Sequence, residues 1–150
     1  MDAGGLRAAI VHARDLRIPR DSAVLNMVVT RQGGEMLLEE RFVLANPDHP
    51  ETAPSPADKD VTVLRIAPKD VGRFDSFQEA LRELKEQRSD GRRSFSVSVN
   101  IKPCRTSDAA QDFRTTVFLK TIETGAYVVV SRGLSLSDPR TGGLPLCPVS

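Results

Sequence analysis

Between Ser94 and Cys104 apolar and polar residues alternate. Phe95, Val97, Val99 and Ile101 fall on one side, and Ser94, Ser96, Ser98 and Asn100 on the other. A period of two with one apolar face predicts an antiparallel strand that sits half on a core and half in water. Asp112 to Thr121 repeats the pattern, with Phe113, Val117 and Leu119 against Arg114, Thr116 and Lys120. Phe118 falls on the polar face of that strand. Glu123-Thr124-Gly125-Ala126 then reads as a turn and Tyr127 to Val130 as the returning arm of a hairpin.

The first third of the chain has the same texture. Leu6 to Ala13 and Ala23 to Thr30 are strand candidates, and Gln32-Gly33-Gly34 makes a turn. Met36 to Leu44 returns, with Met36, Leu38, Phe42 and Leu44 on one face. A helix through Glu35–Arg41 is the alternative, but Gly-Gly before it and Asn46-Pro47 after it favour a hairpin arm. The stretch 46–60 carries Pro47, Pro50, Pro54 and Pro56 and reads as a long surface loop. Val61 to Ile66 is a short strand.

Then the period changes. Pro68 suits a first helical turn. Val71, Phe74, Phe77 or Gln78, Leu81 and Leu84 follow at spacings of three and four, with Asp75, Glu79, Arg82, Glu83 and Lys85 on the other faces. This predicts one amphipathic helix over Pro68 to Gln87, stopped by Ser89-Asp90-Gly91. Phe74, Leu81 and Leu84 are its expected buried face, and Glu79, Arg82 and Glu86 its expected exposed one.

The predicted order is β-β-β-β-α-β-β-β. One helix cannot supply repeated βαβ crossovers, so the expectation is a mostly β protein: an antiparallel sandwich or barrel, read as a sandwich with one inserted amphipathic helix. The pattern is similar at fold level to immunoglobulin-like and transthyretin-like sandwiches. Such scaffolds host many functions, so the similarity implies no activity and no site. The 150 residues suit one domain. Residues 1–5 are expected to be flexible, 46–60 to form the surface loop and 137–150 a C-terminal tail.

Charge narrows the partners. Lys and Arg number 21 and Asp and Glu 20, a net charge of +1. That balance gives no electrostatic reason for nucleic acid or an anionic membrane as partner. No apolar run approaches the roughly 20 residues of a membrane helix. The cluster Arg88, Arg92, Arg93 complements the end of the predicted helix. Glu39-Glu40, and Glu83 with Glu86, sit in ordinary polar positions and not as opposed pairs across a cleft.

The two cysteines change the picture most. Cys147 lies in the proline-bracketed tail Leu144-Pro145-Leu146-Cys147-Pro148, which would fray unless held. A disulfide to Cys104, across 43 positions, gives it a reason for order and places the chain in an oxidising compartment. The alternatives are two reduced thiols in a cytosolic protein, or Cys104 as a nucleophile flanked by Lys102 and Arg105. A metal site is disfavoured: there is no C-x-x-C, and His12 and His49 are the two histidines. Neither histidine sits in a motif that supplies a catalytic partner. Gly4-Gly5, Gly33-Gly34 and Gly142-Gly143 do not join a strand to a helix, as phosphate loops require.

No catalytic residue, metal or cofactor is therefore assigned. The expectation is a small exported non-enzymatic β domain, periplasmic or envelope-associated in a bacterium, that binds another protein or assembles into an envelope complex. Met1 to Gly5 do not form a signal peptide, so export requires a mature sequence whose signal is replaced by an initiator Met; the alternative is a cytoplasmic protein. Phe118 and Tyr127 are the candidate contact residues; for Phe118 the favoured alternative is burial on both sides, under the helix or a second sheet. A small-ligand-binding sandwich or barrel, and a hydrolase or transferase with an unassembled cleft, are the rival readings.

Overall fold

The computed structural model describes residues 3–31, 33–54, 56–86, 93–106, 114–121, 125–135 and 144–148. Gln32, Gln87 with the Ser89-Asp90-Gly91 stop, Arg88, Arg92, Phe113 and Gly142-Gly143 lie outside the described residues.

After a 3-10 turn at Ala3–Gly5 come β1 (Arg7–Ala13), β2 (Leu16–Arg17), β3 (Ala23–Arg31), β4 (Met36–Ala45) and β5 (Lys59–Ile66). A second 3-10 turn, Pro68–Asp70, leads into α1 (Val71–Glu86). Then follow β6 (Arg93–Ile101), β7 (Cys104–Arg105), β8 (Arg114–Lys120) and β9 (Val128–Ser135). The order predicted from sequence lacks two members, the two-residue strands β2 and β7, which pair with each other as Leu16↔Arg105 and Arg17↔Cys104. The strand expected to run to Cys104 stops at Ile101. Pro103 has no N–H to offer a ladder, and Cys104 resumes on a different partner.

The other seven strands form one antiparallel sheet in the order β6-β3-β4-β5-β1-β8-β9. It curls until the two rims, β6 and β9, approach each other, so the sheet nearly closes as a barrel. Of the sandwich and the barrel that the strand pattern allows, the sandwich is the form expected from the sequence. The ladders instead run through a narrow joint, Leu44↔Ile66 and Ala45↔Arg65, between β4 and β5. In an antiparallel pair the two strands are used up in opposite senses. Residues of β4 before Leu44 therefore face chain that has already left β5, and the turn into α1 takes over there. The Ala67 N–H donates to Val43 O at 2.8 Å, and the Val43 N–H donates to Asp70 Oδ2 at 2.7 Å.

The core lies inside the curl. Leu6, Ala8 and Ile10 meet Leu25, Met27, Phe42, Leu44, Leu64, Ile66, Val99, Ile101 and Val117. Central β1 is buried on both faces from Ala8 to His12, which suits its small alanines. Phe74 and Phe77 of α1 pack edge-on to Phe42, with ring centroids 5.2 and 6.0 Å apart. Arg73 lays its guanidinium over the Phe42 ring at 5.3 Å and reaches Glu40 Oε2 and Arg41 O, each at 2.7 Å. Glu79, Arg82 and Glu86 are exposed, as the helical spacing predicts. Leu81 and Leu84 are half-buried and not fully buried. The fully covered part of the helix is the first two turns, opposite Phe42.

The proline-rich stretch is tied down at three points. Asp48 pairs with Arg65 at 2.8 Å, Glu51 with Arg7 at 2.8 Å, and Arg14 donates to Ala57 O. Arg65 and Arg7 project from the outer face of β5 and β1, so the loop lies as a strap across that face.

Candidate functional site

Antiparallel partners share a face of a sheet. Phe118 pairs with Ala9 of β1 and Val129 of β9, and Ala9 pairs with Val63. These four residues are on the outer face, away from the core, with Arg7 and Lys120 as a further pair. Phe118 is half-buried there, and Val129 is 40 % exposed. Tyr127 joins them through Lys120, whose ammonium lies 4.9 Å from the ring centre. Burial pushes the Tyr127 hydroxyl above its ordinary range; the Glu51 carboxylate adds to this and Arg7 opposes it. Phe118 and Tyr127 thus share one amphipathic patch of the outer face, bordered by the Arg7–Glu51 ion pair.

The second candidate surface is the β6 rim. Its inner-face residues run from Ile101 and Val99, both buried, through half-buried Val97 to Phe95, which is 47 % exposed. The outward residues Ser94, Ser96, Ser98 and Asn100 are all exposed. The sequence pattern had located the strand. It could not say that β3 alone among the described strands would pair with it, with Phe95 left half exposed.

The tail forms a third feature. Cys104 and Cys147 are joined, S–S 2.03 Å and Cα–Cα 4.8 Å. Arg105 takes up the segment on either side: its N–H donates to Pro145 O at 2.9 Å, its carbonyl accepts the Cys147 N–H at 2.7 Å, and its Nε donates to Leu144 O at 2.6 Å. Leu144 is buried and Leu146 is half in water.

The remaining reactive residues are engaged structurally or dispersed. His12 is buried, its Nδ1–H donating to Ala13 O and its Nε2 accepting from the Thr62 hydroxyl, both at 2.8 Å. A carbonyl can only accept, which fixes this tautomer. His49 is exposed on the strap. Glu40 pairs with Arg73 and Glu39 lies 3.9 Å from Arg41, so the neighbouring carboxylates address different cations. Among the described residues no group of three or more His, Cys, Asp and Glu could hold a metal ion. No described helix is long and apolar enough to cross a membrane. A cavity of about 210 Å³ opens at one end of the barrel between Ile18, Pro19, Leu44 and Leu64, with Arg20, Asp21 and Asn46 at its mouth. Asp21 holds a left-handed φ of 62° in the turn that forms this mouth.

No known protein family, curated protein or solved structure matches the chain.

Proposed function

We propose that this chain is a non-enzymatic exported β domain that binds another protein or assembles into a cell-envelope complex. The observation that carries the reading is the β6 rim, where a half-exposed phenylalanine borders strand backbone that has no ladder partner on that side among the described residues. Strand edges of this kind recognise extended segments through main-chain hydrogen bonds, with side-chain seats adding selectivity. The outer patch of Phe118 and Tyr127 offers a second contact. Aromatic residues in partly desolvated settings are frequent anchors of interfaces. The joined cysteines favour an oxidising compartment, in keeping with the periplasm or envelope. The enclosure of one core by two staggered halves of a sheet keeps the immunoglobulin-like or transthyretin-like sandwich as the finer reading of the fold.

Immobilised wild-type protein is expected to retain a defined envelope protein. Phe118→Ala should weaken that capture severalfold while leaving the melting temperature almost unchanged. Equal capture by the two proteins removes the outer patch from the interface. The cavity beneath Arg20 and Asp21 supports a second reading, a small-ligand binder. Its sign would be a ligand-dependent rise in melting temperature that Leu44→Ala abolishes relative to its own unliganded baseline.

A further inference from the structure

Sheet edges in natural proteins carry devices that keep other strands away: charge, proline, bulges or a covering segment. Past Arg93 the β6 rim has no charge, proline or bulge, and among the described residues β9 approaches it without pairing to it. From Ser94 to Ile101 there is no charged residue and no proline. Its ladder with β3 runs unbroken from Ala23↔Ile101 to Arg31↔Arg93. On the side away from β3, Ser94 to Ile101 have no backbone partner among the described residues. The other rim is built differently, since the β8–β9 register shifts twice, between Thr115 and Val117 and between Val117 and Phe118. Such irregularities twist an edge away from further pairing.

A regular rim without charge from Ser94 to Ile101 on one side and an irregular one on the other point to a use for the first. The strand itself says what fits. Past Arg93 it presents no charge, so it selects no oppositely charged segment. From Ser94 to Ser98 it matches its own sequence run backwards, and only beyond that does Arg93 fall opposite Val99. When two copies are placed antiparallel about a two-fold axis through Ser96, Phe95 faces Val97 of the second copy and Ser94 faces its Ser98. Apolar residues meet apolar, small polar residues meet small polar, and no like charges are opposed. Phe95 becomes covered. We propose that β6 is a homodimerisation edge, pairing with β6 of a second copy in antiparallel register about Ser96. The arrangement closes on itself, because a two-fold contact uses the same patch on both copies. The irregular β9 rim gives it no way to extend into a fibre.

This inference rests on the reading of the chain as a module that binds protein through its sheet edge, and the experiment separates the two. Sedimentation equilibrium is run on the disulfide-intact chain from micromolar to millimolar concentration. Wild type is expected to dimerise. Ser96→Lys and Ser96→Glu each set like charges against each other at the axis and should weaken self-association severalfold. An equimolar mixture of the two should restore the dimer, because lysine then faces glutamate. Ser96 is exposed, and melting curves for both variants should match wild type, which rules out misfolding as the cause. A monomeric wild type overturns the proposal. So does a dimer that both variants leave intact, or a mixture that stays monomeric. If wild type is monomeric yet retains an envelope protein that Ser96→Lys loses, self-pairing fails while binding through the edge stands. Loss of both behaviours ends both readings.

Discussion

Asp70 shows how one side chain can join two elements that the sequence keeps apart. In the sequence it reads as an ordinary acid in the first turn of a helix. Its role depends on Val43, 27 positions away, whose N–H has lost its strand partner where β5 ends. Asp70 is buried, accepts that N–H and lies 3.2 Å from the Arg73 guanidinium. Burial raises its pKa, but the Val43 N–H and Arg73, with Lys69 adding attraction, outweigh burial and hold the carboxyl below its ordinary 3.8. The folded value is thus lower than the unfolded one. The stability it contributes is complete above 3.8 and is lost as the pH falls through the folded value. Asp70→Ala leaves a buried N–H unpaired and should cost about 1–3 kcal/mol at neutral pH. Urea titrations at neutral and acidic pH check both points: the gap between wild type and Asp70→Ala should narrow in acid. A gap independent of pH would mean that the ionised carboxylate is not what holds the joint. His12 was similarly illegible. Nothing in its strand pattern announces Thr62, which a different strand brings to it.

At the scale of elements, periodicity worked where the period is local. Spacings of three and four from Val71 to Leu84 found α1, alternation found β4, β6 and β8, and a β-branched apolar run found β3. What periodicity left out was how far each element's apolar face is covered. Phe74 is fully buried against Phe42, whereas Leu81 and Leu84, on the same stripe, are half in water. The same happens on β6, where alternation is uniform but burial fades from Ile101 to Phe95. Coverage depends on which neighbours reach each end, and that is not written in the element itself. The energetic consequence differs along the helix. Phe74→Ala removes a ring packed on a second ring and should cost about 3–5 kcal/mol. Leu81→Ala loses less buried surface and leaves a site open to water, so it should cost less than about 2 kcal/mol. Chemical denaturation of the two variants tests this. Equal costs would mean that the helix is buried along its whole length.

At the scale of the whole molecule, the joining of the strands into one nearly closed sheet was not legible. It turns on two pairs, Leu44↔Ile66 and Ala45↔Arg65, which bring together residues 22 and 20 positions apart and leave no trace in either strand's pattern. The tail was legible, because proline on both sides of a cysteine near the end of a chain needs something to hold it. The two-residue strands were not, being too short to carry a period. Yet they are where the tail is fastened: β2 supports β7, and Arg105 of β7 holds Leu144, Pro145 and Cys147 by three hydrogen bonds beside the Cys104–Cys147 link. The covalent bond and the hydrogen bonds should act on different states. The bond restricts the unfolded chain across 43 positions, a contribution on the order of 4 kcal/mol by loop-closure entropy. The hydrogen bonds act in the folded state alone and order five residues or fewer. Cys147→Ser should therefore lower the global unfolding free energy by about 2–4 kcal/mol and also free the tail. Arg105→Ala with the disulfide intact removes the Nε bond to Leu144 O and keeps the two backbone bonds, so it should cost globally no more than about 1–2 kcal/mol and raise hydrogen exchange at the Cys147 amide only modestly. Exchange at that amide that becomes fast in Arg105→Ala would show that the side-chain bond to Leu144 O, and not the disulfide with the backbone pair, keeps the tail in place. A Cys147→Ser protein as stable as wild type would show that the bond adds nothing beyond those contacts.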